Sequence, residues 1–569
     1  MRSSATAAAL VLLAHGGVLA QVQPDAGRIQ QELERGRVPA PPPRGPSAPL
    51  IEEPVRPALK APDSARFLVK GFRITRAVAF SEGELVALLS EFVGKELSLA
   101  DLQRAADVVT RHYRDRGYFV ARAYIPAQEI KDGIVEITVL EGKIDRVSVK
   151  ARGEVRLKES VVEGTLRAAL PRGAPIREAQ LERGLLLLND MAGVDVRAVL
   201  HPGATLGASD VTAELSEGPR LSGNVDLDTY GNKFSGAYRA GATLNLNDPS
   251  GHGDLFSVRG TASSGASYAR LAYQVPLGHS GLRFGAAYSD TRYELCCEFG
   301  QLQAMGKAQT ASVNALYPLL RGRDLSVYAT AAYDARHYFN STIAGTTSDK
   351  KANVVTLGAN AESRDFLGGG ALNNFALAVS FGRLNLDGLA ADRAADDASA
   401  RTHGSYTKTA YSAARLQKLG EATSLYAAFS GQAASKNLDS SEKFILGGPF
   451  GVRAYPTGEA VGDEGLLLNL ELRHDVQPGL QLAAFVDHGE VRLHKNEWPG
   501  WQGTNTRIRN RYGLSGYGIG LNWNQPGNFI VRASVAQRIG DNPGRDVNDN
   551  DSDNTKNRTR LWLQAVKFF

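Results

Sequence analysis

The chain has 569 residues, 43% of them hydrophobic, and a mean hydropathy of −0.24. It is too long for one ordinary soluble domain, yet no stretch after the N-terminus offers the run of about 20 apolar residues that a membrane helix needs. Its net charge of +5 comes from dispersed basic residues, which excludes a nucleic-acid patch.

Residues 1–20 read as an export signal. Arg2 supplies a positive start, residues 5–13 an apolar core, and Val18-Leu19-Ala20 a small-residue cleavage site. Residues 21–37 contain a predicted short polar helix, 25–37, in which Ile29 and Leu33 lie one turn apart. A linker over 38–64 follows, and nine of the 24 prolines fall in it. Proline-rich chain extends at about 3.1 Å per residue, so the helix can sit roughly 75 Å from the next domain.

Residues 65–142 form a predicted α/β module. Its strands are expected over 67–74, 118–125 and 134–140, with helices over 81–92 and 98–116. Ser98 and Asp101 resemble a capping box, and Leu102, Ala105, Val109 and Tyr113 make a buried stripe. Residues 143–219 repeat the β-α-α-β-β order, with strands over 144–149, 194–200 and 210–215 and helices over 158–170 and 177–189. A tandem pair of this period is a pair of small domains rather than a solenoid.

From 220 to 569 the chain alternates apolar and polar residues in short runs. Within 234–247, Phe234, Gly236, Tyr238, Ala240, Ala242, Leu244 and Leu246 share one face of an extended strand. Leu466, Leu468, Leu470 and Leu472 likewise oppose Asn469, Glu471 and Arg473. Successive strand side chains point to opposite faces, giving each run a greasy side and a wet side. Over about 350 residues this predicts a closed antiparallel membrane β-barrel of about 16 strands. With an export signal, it places the protein in a bacterial outer membrane.

One segment stands out within the barrel. Gly447-Gly448-Pro449-Phe450-Gly451-Val452-Arg453-Ala454-Tyr455-Pro456 puts hydrophobic residues in an outer loop, which suggests that 447–465 folds inward. Alternation puts Leu482, Ala484 and Val486 toward lipid and Phe485, Asp487 and Gly489 toward the lumen. Asp487 is then a suitable partner for Arg453, and Gly489 leaves room for a loop backbone. The bland alternative is an ordinary loop arginine and a pore-lining aspartate.

Three further features need a reading. Cys296 and Cys297 are neighbours and cannot join distant segments; they read as two inert thiols, with a vicinal disulfide as the other option. The acidic, asparagine-rich run 541–557 lacks EF-hand spacing and reads as a solvated outer hairpin. There is no H-E-x-x-H, no phosphate-binding loop and no G-x-S-x-G elbow, since Gly278-His279-Ser280-Gly281 lacks the spacing. The chain is therefore expected to be no enzyme, with no metal and no cofactor.

These residues resemble those of the two-partner secretion transporters, the TpsB or haemolysin secretion/activation family of POTRA-bearing outer-membrane barrels. Residues 117–126 and 136–142 are similar to the family's first POTRA domain. Val452-Arg453-Ala454-Tyr455 resembles the V-R-G-[FY] motif of its sixth outer loop, with Ala454 in place of the glycine. Phe485-x-Asp487-x-Gly489 is similar to the F-x-D-x-G strand motif that anchors that arginine. The resemblance implies a 16-stranded barrel behind two periplasmic POTRA domains and an N-terminal plug helix. Val452, Arg453, Tyr455, Phe485, Asp487 and Gly489 would form a lock between loop and lumen. It further implies that the POTRA surfaces capture an unfolded, β-helical partner protein, an adhesin, haemolysin or contact-dependent toxin, which a single copy of the pore then secretes. Phe569 resembles the terminal aromatic signal read by the barrel-assembly machinery. The rival readings are an insertase of the same superfamily, which usually carries three or more POTRA domains, and a diffusion porin, for which POTRA domains are superfluous.

Overall fold

The computed structural model describes residues 24–35, 66–205 and 207–569 in full and the backbone of 51–52. The export signal expected over 1–20 and most of the linker expected over 38–64 lie outside the described residues.

The first α/β module builds a three-stranded sheet. Gly71–Thr75 pairs in parallel with Ile134–Leu140, which pairs antiparallel with Arg122–Tyr124. Helix Leu99–Asp115 begins where Ser98 and Asp101 exchange backbone and side-chain hydrogen bonds. This reciprocal cap satisfies two amide donors that a helix start leaves unpaired. Leu102, Ala105, Val109 and Tyr113 are buried beneath it. The strand expected over 67–74 breaks at Val69 and Lys70 into Arg66–Leu68, which pairs with Glu96–Ser98 in a separate small sheet, and Gly71–Thr75. Two further elements are shorter than the sequence pattern predicts. The helix expected over 81–92 stops at Ala87 and resumes as a 3-10 turn, Ser90–Phe92. The strand expected over 118–125 contracts to Arg122–Tyr124, because Gly117 turns at φ +85° and Tyr118 packs edge-on against Phe80 and Tyr113.

The second module places Lys143–Ala151, Ala208–Glu217 and Val194–Pro202 in one sheet under helices Glu159–Ala169 and Glu178–Asn189. Ile51–Glu52 adds to this sheet in parallel, beside Ala198 and Val199.

Sixteen strands, from Leu221–Asp228 to Thr559–Phe568, then close a barrel in which each pairs antiparallel with its neighbours in sequence. Closure rests on a short ladder, Asn224–Asp228 against Gln564–Phe568. The expected alternation is visible along Leu480–Arg492. Leu482 and Val486 are each 48% exposed on the lipid face, whereas Ala483, Phe485, Asp487 and Gly489 face inward and are buried. The early run is different. The strand starts at Arg239, so Phe234 and Gly236 belong to an outer loop rather than to the wall. Gly236 turns at φ +108° and the Asn232 side chain accepts the Phe234 N–H, which tucks the Phe234 ring inward.

The second module sits under the side of the barrel that carries the short turns. Asp190 accepts hydrogen bonds from Arg321 at 2.7 and 2.9 Å and pairs with Arg283 at 3.1 Å. Arg183 donates to the Pro318 carbonyl. The long loops are all at the other end, which makes that end extracellular.

Two loop expectations are corrected. Cys296 and Cys297 are joined in a vicinal disulfide, not held as thiols; Cys297 adopts φ +63°, which turns the chain between the two residues. Residues 541–557 are not a solvated hairpin. Asn542, Asp546, Asp551 and Asp553 are buried, and Asp551 pairs with Arg538 at 2.6 Å and Arg560 at 3.2 Å. The acidic run has its counter-charges on neighbouring strands, where local composition does not reveal them.

Candidate functional site: a loop and a helix inside the barrel

The sixth outer loop, residues 435–463, is long enough to enter the barrel and return. Phe444–Ile445 pairs with Val461–Gly462 to form its stem. Between them Leu446, Val452, Ala454 and Tyr455 have no exposed surface. Close approach to the wall requires small residues at fixed positions. A side chain on Gly489 would collide with Leu446, and a Cβ on Gly516 would lie 2.5 Å from the Ala454 methyl. The alanine that stands in the motif's glycine position is thus accommodated by the missing side chain at Gly516, not by unusual backbone.

Arg453 is brought to Asp487. Its Nε and Nη2 donate to the two carboxylate oxygens at 2.8 and 2.7 Å, and its backbone N–H donates to the same group at 3.1 Å. Nη1 donates to Glu471 at 2.6 Å, and the guanidinium carbon stacks 3.4 Å from the Phe485 ring centroid. This fork uses the planar, multi-donor geometry that lysine lacks. Asn469 donates to Asp487 at 2.7 Å and to the Gly451 carbonyl at 3.2 Å, so one side chain holds both partners. Alternation did not single out Asn469, Glu471 and Trp562 for this role. Asn469 and Glu471 share the lumen face with Asp487, two-residue spacing being the signal that could have found them. Trp562 donates to the Arg453 carbonyl at 2.8 Å from the last strand, and nothing local foretells it. Tyr455 lies under Arg538, whose guanidinium carbon is 5.1 Å from the ring centroid.

The helix expected over 25–37 runs from Ala26 to Arg35 and stands in the lumen. Ile29 and Leu33 are buried, but so are Arg28, Gln30 and Glu32. A helix of this length, polar on most sides, is marginal alone in water; here the polar faces find partners. Lys350 pairs with Asp25 at 3.0 Å and with Asp439 at 2.7 Å. Arg28 pairs with Glu32 at 3.2 Å and donates to the Gly458 carbonyl at 2.5 Å, and Arg35 donates to the Ile445 carbonyl. Gln30 donates to Thr310 of the wall. Gly27 presses against Ser441, where a Cβ would lie 2.5 Å from the serine Cβ. The helix is therefore attached both to the wall and to the inward loop, by hydrogen bonds and ion pairs and by a small apolar patch in which Ala26, Ile29 and Leu33 join the buried cluster of Phe234 and Phe299.

Phe569 ends the last strand, exchanging backbone hydrogen bonds with Gly223 at 3.0 and 3.1 Å. Its ring is exposed on the lipid side, whereas Trp562, Val566 and Phe568 point inward. Among the described residues no cluster of histidine, cysteine or carboxylates is arranged to hold a metal.

The likeness to known proteins extends over nearly the whole chain. The model of haemolysin secretion/activation proteins ShlB/FhaC/HecB matches residues 207–523, and that of the ShlB-type POTRA domain matches residues 67–142. The chain is 28% identical to the heme/hemopexin transporter protein HuxB of Haemophilus influenzae, over 99% of this chain and 98% of that protein. It is 26% identical to the outer membrane transporter CdiB of Escherichia coli, over 58% and 56% of the two chains. The solved structure of CdiB from Escherichia coli superposes with a TM-score of 0.69 at 20% identity, covering 100% of this chain and 99% of that one, a likeness of fold. The chain belongs to the haemolysin secretion/activation protein family, the TpsB outer-membrane transporters of two-partner secretion.

Proposed function

We propose that this outer-membrane transporter takes up an unfolded partner protein in the periplasm through the edges of its POTRA sheets and passes it outward as an extended chain. The observation that carries the reading is a sixteen-stranded barrel whose lumen is filled by its own helix and loop, held only by noncovalent contacts. A diffusion porin has no use for such stoppers or for the two α/β modules beneath them. Strand addition is the natural mode of capture, since backbone hydrogen bonds supply affinity and alternate side chains supply choice. The outer edges of Gly71–Thr75 and Arg122–Tyr124 in the first module carry no further strand among the described residues. Arg453 and Asp487, with Val452, Tyr455, Phe485 and Gly489, act as the lock that holds the loop in its resting place. Phe569 serves as the signal for the barrel-assembly machinery, and one copy of the chain suffices for export. The channel works without a catalytic step: folding of a β-helical product outside the cell biases the direction.

The end-to-end match to a heme/hemopexin transporter protein makes a cargo for haem acquisition the first class to test, ahead of an adhesin, a haemolysin or a contact-dependent toxin. The test is co-expression with a candidate large exoprotein and assay of the medium. Appearance of the exoprotein outside the cell, dependent on this chain and on its first α/β module, supports the reading. Export that persists after that module is deleted overturns capture by the POTRA sheets.

A further inference from the structure

We propose that the Cys296–Cys297 disulfide is a redox-modifiable latch on the outer cover of the lumenal helix, opened by a low-molecular-weight thiol. This rests on reading that helix as the stopper of the pore. Both cysteines are exposed in the third outer loop, residues 295–304. They are the chain's only cysteines, so exchange at this site leads to no other pairing within the protein.

The disulfide sits at the start of a one-turn element with several attachments. Cys297 holds φ +63° and opens the 3-10 turn Cys297–Leu302. That turn carries Phe299, 2% exposed, whose ring meets Phe234 edge-on at 4.9 Å. Phe234, Phe299, Leu295 and Ala304 belong to one buried apolar cluster with Ala26, Ile29 and Leu33 of the helix. Glu298, one residue after the disulfide, pairs with Lys233 of the first outer loop at 2.9 Å and accepts from Asn554 of the eighth at 2.7 Å. The Ile343 N–H of the fourth loop donates to the Leu302 carbonyl at 2.8 Å. The turn thus joins three other loops over the helix.

Joining adjacent residues closes a small ring that restricts the backbone between them, and here the restricted backbone is left-handed at Cys297. Left-handed φ is unfavourable for any residue with a side chain. With the ring opened, Cys297 relaxes toward negative φ and the turn that aims Phe299 and Glu298 re-forms differently. The free Cys296 thiol also gains a proton to donate, and its sulfur lies 3.6 Å from the Lys233 carbonyl oxygen. The chemistry balances as ordinary exchange. A thiolate RS⁻ attacks one sulfur, forming a mixed disulfide and expelling the other cysteine, which takes up a proton. A second thiolate displaces RS–SR and the remaining cysteine is protonated. Two thiols are oxidised and one disulfide is reduced.

The test uses the full-length protein reconstituted in planar bilayers, with dithiothreitol added on the extracellular side as the probe. Reduction is followed by the mass gain of two hydrogens and barrel integrity by heat-modifiable mobility on gels. High-conductance openings are expected to become roughly tenfold more frequent, the ratio that relief of one left-handed residue supports. The Cys296→Ser/Cys297→Ser double variant should show the raised frequency without reductant and not respond to it. Removing residues 25–35 should abolish the response, because no stopper remains to be released. Reduction verified by mass with unchanged gating overturns the proposal, as does a response that survives loss of the helix. Protein that leaves the outer membrane already in the dithiol form overturns it as well.

Discussion

Replacing Arg453 with alanine is the most direct perturbation of the inward loop, and its cost can be built from the contacts. The substitution removes the two guanidinium bonds to Asp487, the bond to Glu471 and the stack on Phe485. Glu471 suffers least, because Arg473 still donates to it at 2.7 Å. Asp487 has no exposed surface, yet it keeps the backbone N–H of residue 453 at 3.1 Å and Asn469 at 2.7 Å. Removing one partner of a buried pair costs about 3–5 kcal/mol, and these surviving donors put this case at the low end. About 3 kcal/mol is a shift of roughly 150-fold in the ratio of seated to unseated loop. Hydrogen exchange reads that ratio at the Leu446, Gly447 and Val452 amides, which donate within the loop to Ala460, Glu459 and Leu446. Exchange at these amides should accelerate about 150-fold, and secretion should be lost while the barrel stays in the membrane. Arg453→Lys should fall between the two, keeping the charge and losing the fork. Because the residues act as a unit, Arg453→Ala/Asp487→Ala should be no worse than either single change. Unchanged exchange together with normal export would refute the reasoning.

Four more outcomes follow from the same geometry. Deleting residues 25–37 should raise single-channel conductance with little loss of secretion; unchanged conductance would mean that the helix does not obstruct the pore. Gly516→Ala should drive a methyl into Ala454 and cost about 1–3 kcal/mol of loop seating, and adding Ala454→Gly should restore it, both read by the same amide exchange. Asp190→Ala should loosen the second α/β module from Arg321 and Arg283 by about 1–2 kcal/mol, seen as a broadened distance distribution between spin labels on module and barrel. His494, in the seventh outer loop between Trp498 and Trp501, is held down to about 3 by burial and, secondarily, by Lys443. Its folded value lies below the unfolded 6.5, so the opened loop takes up a proton that the closed loop refuses. Loop stability is then intact above pH 6.5 and falls as pH drops below it. Tryptophan fluorescence should report this opening in acid, and His494→Gln should flatten the response.

What the sequence discloses and what it hides follow from the range of the signals. Alternation is local, so it locates Asp487 and Phe485 on the inner face of one strand. The strand number it leaves to the length of the alternating region, which suits about 16 without excluding about 14 or 18. Capping is local as well, and Ser98 with Asp101 starts a helix where their spacing predicts. The misread segments are those whose burial depends on distant chain. Phe234 continues an alternating pattern, yet its ring is drawn inward to a helix some 200 residues earlier in sequence. The run 541–557 carries a solvent-loving composition, but Arg538, Arg560 and Glu459 wait for it at the barrel mouth. Both cases share a cause: inside a wide barrel the lumen accepts polar residues at low cost only when other polar residues line it, so polarity ceases to mark the surface. The lumenal helix is the extreme example. It buries Arg28, Gln30 and Glu32 and is anchored at Asp25 through charges and carbonyls on the wall and loop. Replacing a polar attachment by water costs far less than stripping an apolar one, because water satisfies the freed groups. Its apolar share is small, Ala26, Ile29 and Leu33 in the cluster with Phe234 and Phe299, so if the helix acts as the proposed stopper, most of its attachments can be exchanged for water without stripping apolar surface.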